Sequence, residues 1–144
     1  MEAGVTSKGT LITGVIGDDV HNMGIGILEY ALRKAGFTVV SLGIHTSQEE
    51  FINAALETKA QAILISSLSG HGALMCEGFR DKCLEAGLED ILLYAGGRLV
   101  VGAPPWEETE KVFLGMGFTR AYPPAVLPGA VIADLEADLQ RIGV

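Results

Sequence analysis

The sequence predicts an α/β protein, a five-stranded parallel sheet with helices on both faces. Three observations predict it. Short runs rich in Val, Ile and Leu alternate with longer amphipathic runs, the connections are short, and glycines punctuate the ends of the runs. With 49% hydrophobic residues in a chain of 144, there is enough apolar surface to bury a substantial core within one domain, expected to span residues 1–144.

Each element follows from its pattern. Residues 10–16 are apolar and β-branched and read as a buried first strand. Residues 25–35 repeat apolar side chains at helical spacing through Ile27, Leu28, Ala31, Leu32 and Ala35, and Gly36 closes the helix. Residues 37–42 (FTVVSL) read as the second strand. The helix over 48–59 follows Ser47, which with Glu50 has capping-box spacing. Residues 62–66 form the third strand, 76–86 a helix ended by Gly87, and 91–95 the fourth strand, followed by a loop over 96–105. A helix over 107–116 is stopped by Gly117, residues 120–122 make a short edge strand, and 130–142 a terminal helix. Five strands in this alternation fit the flavodoxin-like (Rossmann-like) order 2-1-3-4-5.

Composition narrows the partners. A formal net charge of -8 argues against nucleic acid and against an anionic membrane surface. No run approaches the ~18 apolar residues of a membrane span. Residues 1–10 lack the apolar stretch of a secretory leader, so the expected compartment is the cytoplasm. Cys76 and Cys83 read as reduced thiols on one helix face, too far apart along it for a disulfide. His45 and His71 read as loop residues, and Trp106 as packing at a helix start.

The chemistry gathers at the carboxyl ends of the strands, where open α/β sheets bind ligands. The loop leaving the first strand carries Asp18, Asp19, Val20, His21, Asn22 and Gly24. A carboxylate two residues from an imidazole can hold one ring nitrogen and leave the other as a metal ligand. The loop trailing the third strand carries Ser66, Ser67 and Leu68, and the loop trailing the fourth carries Gly96 and Gly97. In the order 2-1-3-4-5 these three loops are neighbours. Together they describe a slot for a large, partly apolar ligand with a metal at its mouth.

These residues resemble a known family. Asp19-x-His21-x-x-Gly24, then 41 intervening residues, Ser66-x-Leu68, then 27 more, and Gly96-Gly97 is similar to the signature of base-off/His-on cobalamin-binding domains. The stretches GVIGDDVHNMG, FINAALETKAQAILISSL and KCLEAGLEDILLYAGG resemble the small subunits of glutamate mutase (methylaspartate mutase) along nearly their whole length. Two positions depart from that pattern: Asp18 stands where a serine is familiar, and Arg98 where an asparagine is.

The resemblance implies adenosylcobalamin as cofactor and a radical rearrangement of L-glutamate to threo-3-methyl-L-aspartate. It implies His21 as the lower axial ligand to cobalt, with Asp19 bonded to the other ring nitrogen. Gly24 would let the following helix pass close to the displaced nucleotide tail, and Ser66 would meet the benzimidazole. Ser67, Leu68, Gly96 and Gly97 would line the tail's channel, and Arg98, Leu99, Val100, Val101 and Gly102 would flank corrin and tail. It also implies a separate large subunit, a (β/α)8 barrel that holds glutamate and covers the upper face of the cobalt.

Other readings fit less well. A corrinoid methyl carrier shares the motifs but usually carries a helical cap before the domain, and another carbon-skeleton mutase would differ on the partner subunit. A phosphoacceptor domain would want an aspartate where Ser66 and Ser67 stand. A flavin carrier would want a phosphate loop where Asp18 and Asp19 repel phosphate. A cobalamin sensor would need no partner that restores activity.

Overall fold

A computed structural model describes residues 7–17, 23–102 and 104–143. Strands β1 (Thr10–Val15), β2 (Thr38–Ser41), β3 (Ala62–Ser67), β4 (Leu92–Gly97) and β5 (Arg120–Tyr122) form one parallel sheet in the order β2-β1-β3-β4-β5. Helices α1 (Met23–Lys34) and α6 (Pro128–Arg141) pack on one face. Helices α2 (Gln48–Thr58), α4 (Phe79–Glu85) and α5 (Trp106–Gly115) pack on the other, with the single turn α3 (Gly72–Met75) at its upper edge. This is the order the alternation of elements predicts.

The period of two along each strand divides the core. Ile12, Ile63, Ile65, Leu93, Ala95 and Ala121 point toward α2, α4 and α5 and meet Phe51, Phe79, Phe113 and Phe118 there. Those four rings pack edge to face or tilted, with centroids 5.3 to 6.2 Å apart, an arrangement that the quadrupole of the rings favours. Leu11, Ala62, Leu64, Leu92 and Tyr94 point the other way, toward Leu32 of α1 and Val131, Leu135 and Leu139 of α6. Burial on both faces is why β1, β3 and β4 read as nearly unbroken apolar runs.

Local signals act where the sequence places them. Ser47 and Glu50 close a reciprocal capping box at the start of α2. One expectation fails: residues 76–86 are not a single helix. Gly78 takes φ +74° and caps the start of α4, a left-handed backbone that an α-helix cannot contain, and Cys76 lies in the turn after α3.

Both cysteines are free and fully buried in the larger core. Burial pushes the Cys76 thiol up to about 12 and the Cys83 thiol to about 11, the latter opposed by the Arg80 guanidinium. The thiolate is the reactive form, so alkylation of the folded protein at neutral pH is expected to run roughly 100-fold slower than that of the urea-unfolded chain. Mass spectrometry after timed iodoacetamide treatment measures this, and rapid labelling of the folded protein would contradict the burial of these thiols.

Candidate functional site

Parallel register lines up one row across the carboxyl edge of the sheet. Val15 is opposite Ser66, Ser66 opposite Gly96, and Gly96 opposite Tyr122. On the face covered by α1 and α6, aliphatic packing fills the sheet as far as Leu64 and Tyr94. One step further along the strands the side chains on that face are Ser66 and Gly96, too small to reach between the helices. The result is a groove of about 260 Å³. Leu64, Tyr94, Gly96 and Tyr122 form its floor, α1 supplies Ile25, Ile27 and Leu28 as one wall, and Pro128 and Val131 of α6 supply the other. The segment after β5, with Pro123, Pro124 and Val126, rims the open end.

Gly96 and Gly97 have different duties. A Cβ on Gly96 would lie 3.7 Å from Tyr122 Cβ, ordinary contact, so its missing side chain is groove space. A Cβ on Gly97 would fall 2.3 Å from the Ser67 carbonyl oxygen, and its φ is +105°. Only glycine fits there, because β4 closes on β3 at that point.

The loops after β1, β3 and β4 meet at this edge. Ile16 N–H donates to Ser66 O at 3.1 Å, and Gly17 N–H donates to Thr46 O at 2.8 Å. Met75 packs against Gly17, where a Cβ would meet its sulfur at 3.1 Å. Gly70 N–H donates to Arg98 O at 3.1 Å and Ala73 N–H to Leu99 O at 2.9 Å, tying the loop after β3 to the loop after β4.

The floor is anchored from behind by charge. The Tyr94 hydroxyl donates to Asp138 of α6, and the Tyr122 hydroxyl donates to Asp134, one turn earlier, at 2.7 Å. Arg120 donates to both Asp138 carboxylate oxygens, at 2.8 and 3.0 Å, and lies 3.5 Å from Asp134. Arg141 approaches Asp138 at 3.4 Å. The Arg120 guanidinium holds the Asp138 carboxyl down at about 2, against burial that pushes it up. Burial, then the hydrogen bond to its aspartate, raises each tyrosine phenol above its ordinary range, so both stay protonated donors. On the opposite wall Thr13 Oγ1 of β1 donates to the buried Glu29 carboxylate of α1 and fixes that helix to the sheet.

The structure brings Ser66, Leu68, Gly96 and Gly97 together in the groove. Ser67 turns to the other face, is 1% exposed, and has its hydroxyl 3.4 Å from that of Ser69. Leu99 is equally buried and packs against Gly72. Arg98, Val101 and Gly102 are exposed on the upper edge, and Val100 is half-buried beside them. Gly24 lies in the first turn of α1. Asp18, Asp19, Val20, His21 and Asn22 lie outside the described residues. Sequence reasoning missed Tyr94 and Tyr122 as groove residues. The signal was available: Tyr94 is two residues before Gly96 and so shares its face.

Comparison with known proteins gives a consistent result. The family model described as B12 binding domain matches residues 9–123. The glutamate mutase sigma subunit of Carboxydothermus hydrogenoformans is 55% identical over 129 residues, covering 90% of this chain and 94% of that one. The sigma subunit of Clostridium tetani is 54% identical over 132 residues, covering 92% and 96%. A crystal structure of a cobalamin-binding protein from Desulfitobacterium hafniense superposes with a TM-score of 0.74 at 16% identity, over 92% of this chain and 59% of that one, and so shares the fold.

Proposed function

The chain belongs to the family of glutamate mutase sigma subunits, built on the B12 binding domain, and on that premise we propose that its groove would receive the nucleotide tail of adenosylcobalamin and that His21 would ligate the cobalt. As the cobalamin-binding subunit of a glutamate mutase, it carries the cofactor and leaves the substrate to a second chain. One observation carries the tail assignment: the apolar groove at the carboxyl edge exists because Ser66 and Gly96 leave unfilled the space between α1 and α6.

The residues fit the group. Tyr94 and Tyr122, packed on each other with centroids 5.8 Å apart, line the floor where a flat aromatic base would lie. Ser66 offers a hydroxyl among apolar walls, enough to orient a base without strong polar competition. Ile25, Leu28 and Val131 give the groove apolar walls. Asp19, two residues before His21, would accept a hydrogen bond from its second ring nitrogen, fixing the tautomer and raising the basicity of the ligating nitrogen. When bound, adenosylcobalamin supplies the radical chemistry, through its cobalt–carbon bond, that rearranges L-glutamate to threo-3-methyl-L-aspartate.

The partner we assign is a large (β/α)8-barrel subunit that binds glutamate and covers the upper cobalt face, in the cytoplasm. A radical site must be shielded from water, and this chain supplies only the lower half of such a site. Titration of the purified chain with adenosylcobalamin, with and without a large subunit, tests the reading. Glutamate isomerisation is expected only when both chains and the cofactor are present. Turnover by this chain alone, or none with any large subunit, would overturn it.

A further inference from the structure

The tyrosine–aspartate pairs behind the groove have no part in holding cobalt, yet they join the sheet floor to α6, one of the groove's two helical walls. Tyr94 and Tyr122 are neighbours across the β4–β5 pair and line the groove floor, Tyr94 as a buried ring beneath it. Their hydroxyls end on carboxylates one turn apart on α6, and Arg120 lies between the two carboxylates. The same helix supplies Pro128 and Val131 to the wall. Moving either ring therefore moves a bond to the wall, and the spacing of floor and wall is fixed by two hydrogen bonds and an ion pair. Charge-assisted bonds of this kind are roughly twice as strong as neutral ones, and the Asp138 carboxylate that accepts them is buried whereas Arg120 is partly exposed.

We infer that Asp138 and Asp134 act as a double latch that sets selectivity for corrinoids carrying a nucleotide tail, by holding the Tyr94 and Tyr122 rings as a fixed floor. This rests on the reading that the tail enters this groove. On that reading the corrin would sit outside the groove, at the carboxyl edge of the sheet, and only the tail would meet the floor that the latch holds. Asp138 is a positioning residue that acts through Tyr94.

The test compares binding of cobalamin with binding of cobinamide, the same corrin without its nucleotide, by fluorescence quenching and calorimetry on the full chain. The unaltered protein is expected to favour cobalamin. Asp138→Asn is expected to weaken cobalamin about tenfold and to leave cobinamide within about twofold. Tyr94→Phe, which keeps the ring and leaves Asp138 paired with Arg120, is expected to move the ratio the same way and serves if Asp138→Asn does not fold by circular dichroism. Equal losses for both ligands, or no change in either, would overturn the latch. Equal affinity of the unaltered protein for cobalamin and cobinamide would instead overturn the tail reading, and the latch with it.

Discussion

In the His21→Gly variant, the cob(II)alamin paramagnetic resonance spectrum of protein labelled with nitrogen-15 histidine is expected to lose its nitrogen-15 splitting, and reconstituted glutamate turnover to fall by roughly 100-fold or more. Disturbing the groups around a metal ligand already costs 10–100-fold in affinity or activity, and this substitution removes the ligand itself. The fold should survive, because the described residues alone build two hydrophobic clusters, one on each face of the sheet. A native circular dichroism spectrum with the splitting lost supports ligation. A spectrum of the unaltered protein that shows no histidine coupling would refute it.

Substitution of the paired glycines is expected to separate stability from binding. Gly97→Ala places a methyl 2.3 Å from the Ser67 carbonyl at φ +105°. Overpacking and left-handed strain together should cost roughly 3 kcal/mol of unfolding free energy. Gly96→Ala meets its neighbours at ordinary distances, so its stability should stay within about 1 kcal/mol of the parent. Its methyl instead stands in the groove beside Ser66, and cobalamin affinity should drop at least about tenfold. Urea unfolding and cobalamin titration on the two variants measure both quantities. Equal destabilisation by the two substitutions would show that the pleat does not divide their roles in this way.

Much of this arrangement was legible in the sequence, for physical reasons that differ from residue to residue. The sheet order followed from strands separated by helices with clear caps, of which the Ser47–Glu50 box is the sharpest. Ser66, Gly96 and Gly97 were readable because a strand end followed by small residues leaves space. Ser67 was grouped with Ser66 by adjacency, whereas the pleat sends adjacent side chains to opposite faces. The break at Gly78 was hidden because Cys76, Phe79 and Cys83 keep helical spacing across it and all three are buried. Tyr94 lies inside the apolar run of the fourth strand and packs in the core with Leu64 and Leu135. Its second duty depends on Arg120 and Asp138, partners on β5 and α6 that no local pattern discloses.

The two walls of the groove, α1 and α6, are the first and last helices in the element order. A nascent chain leaving the ribosome therefore presents α1 and the whole sheet before α6 has been made, since domains emerge from the N-terminal side. Until that helix docks, the Tyr94 and Tyr122 hydroxyls lack their carboxylates and the floor is open to water. If the groove takes the vitamin's tail as proposed, loading waits until α6 has been made and docked, and a chain stalled before residue 128 lacks one wall of the groove.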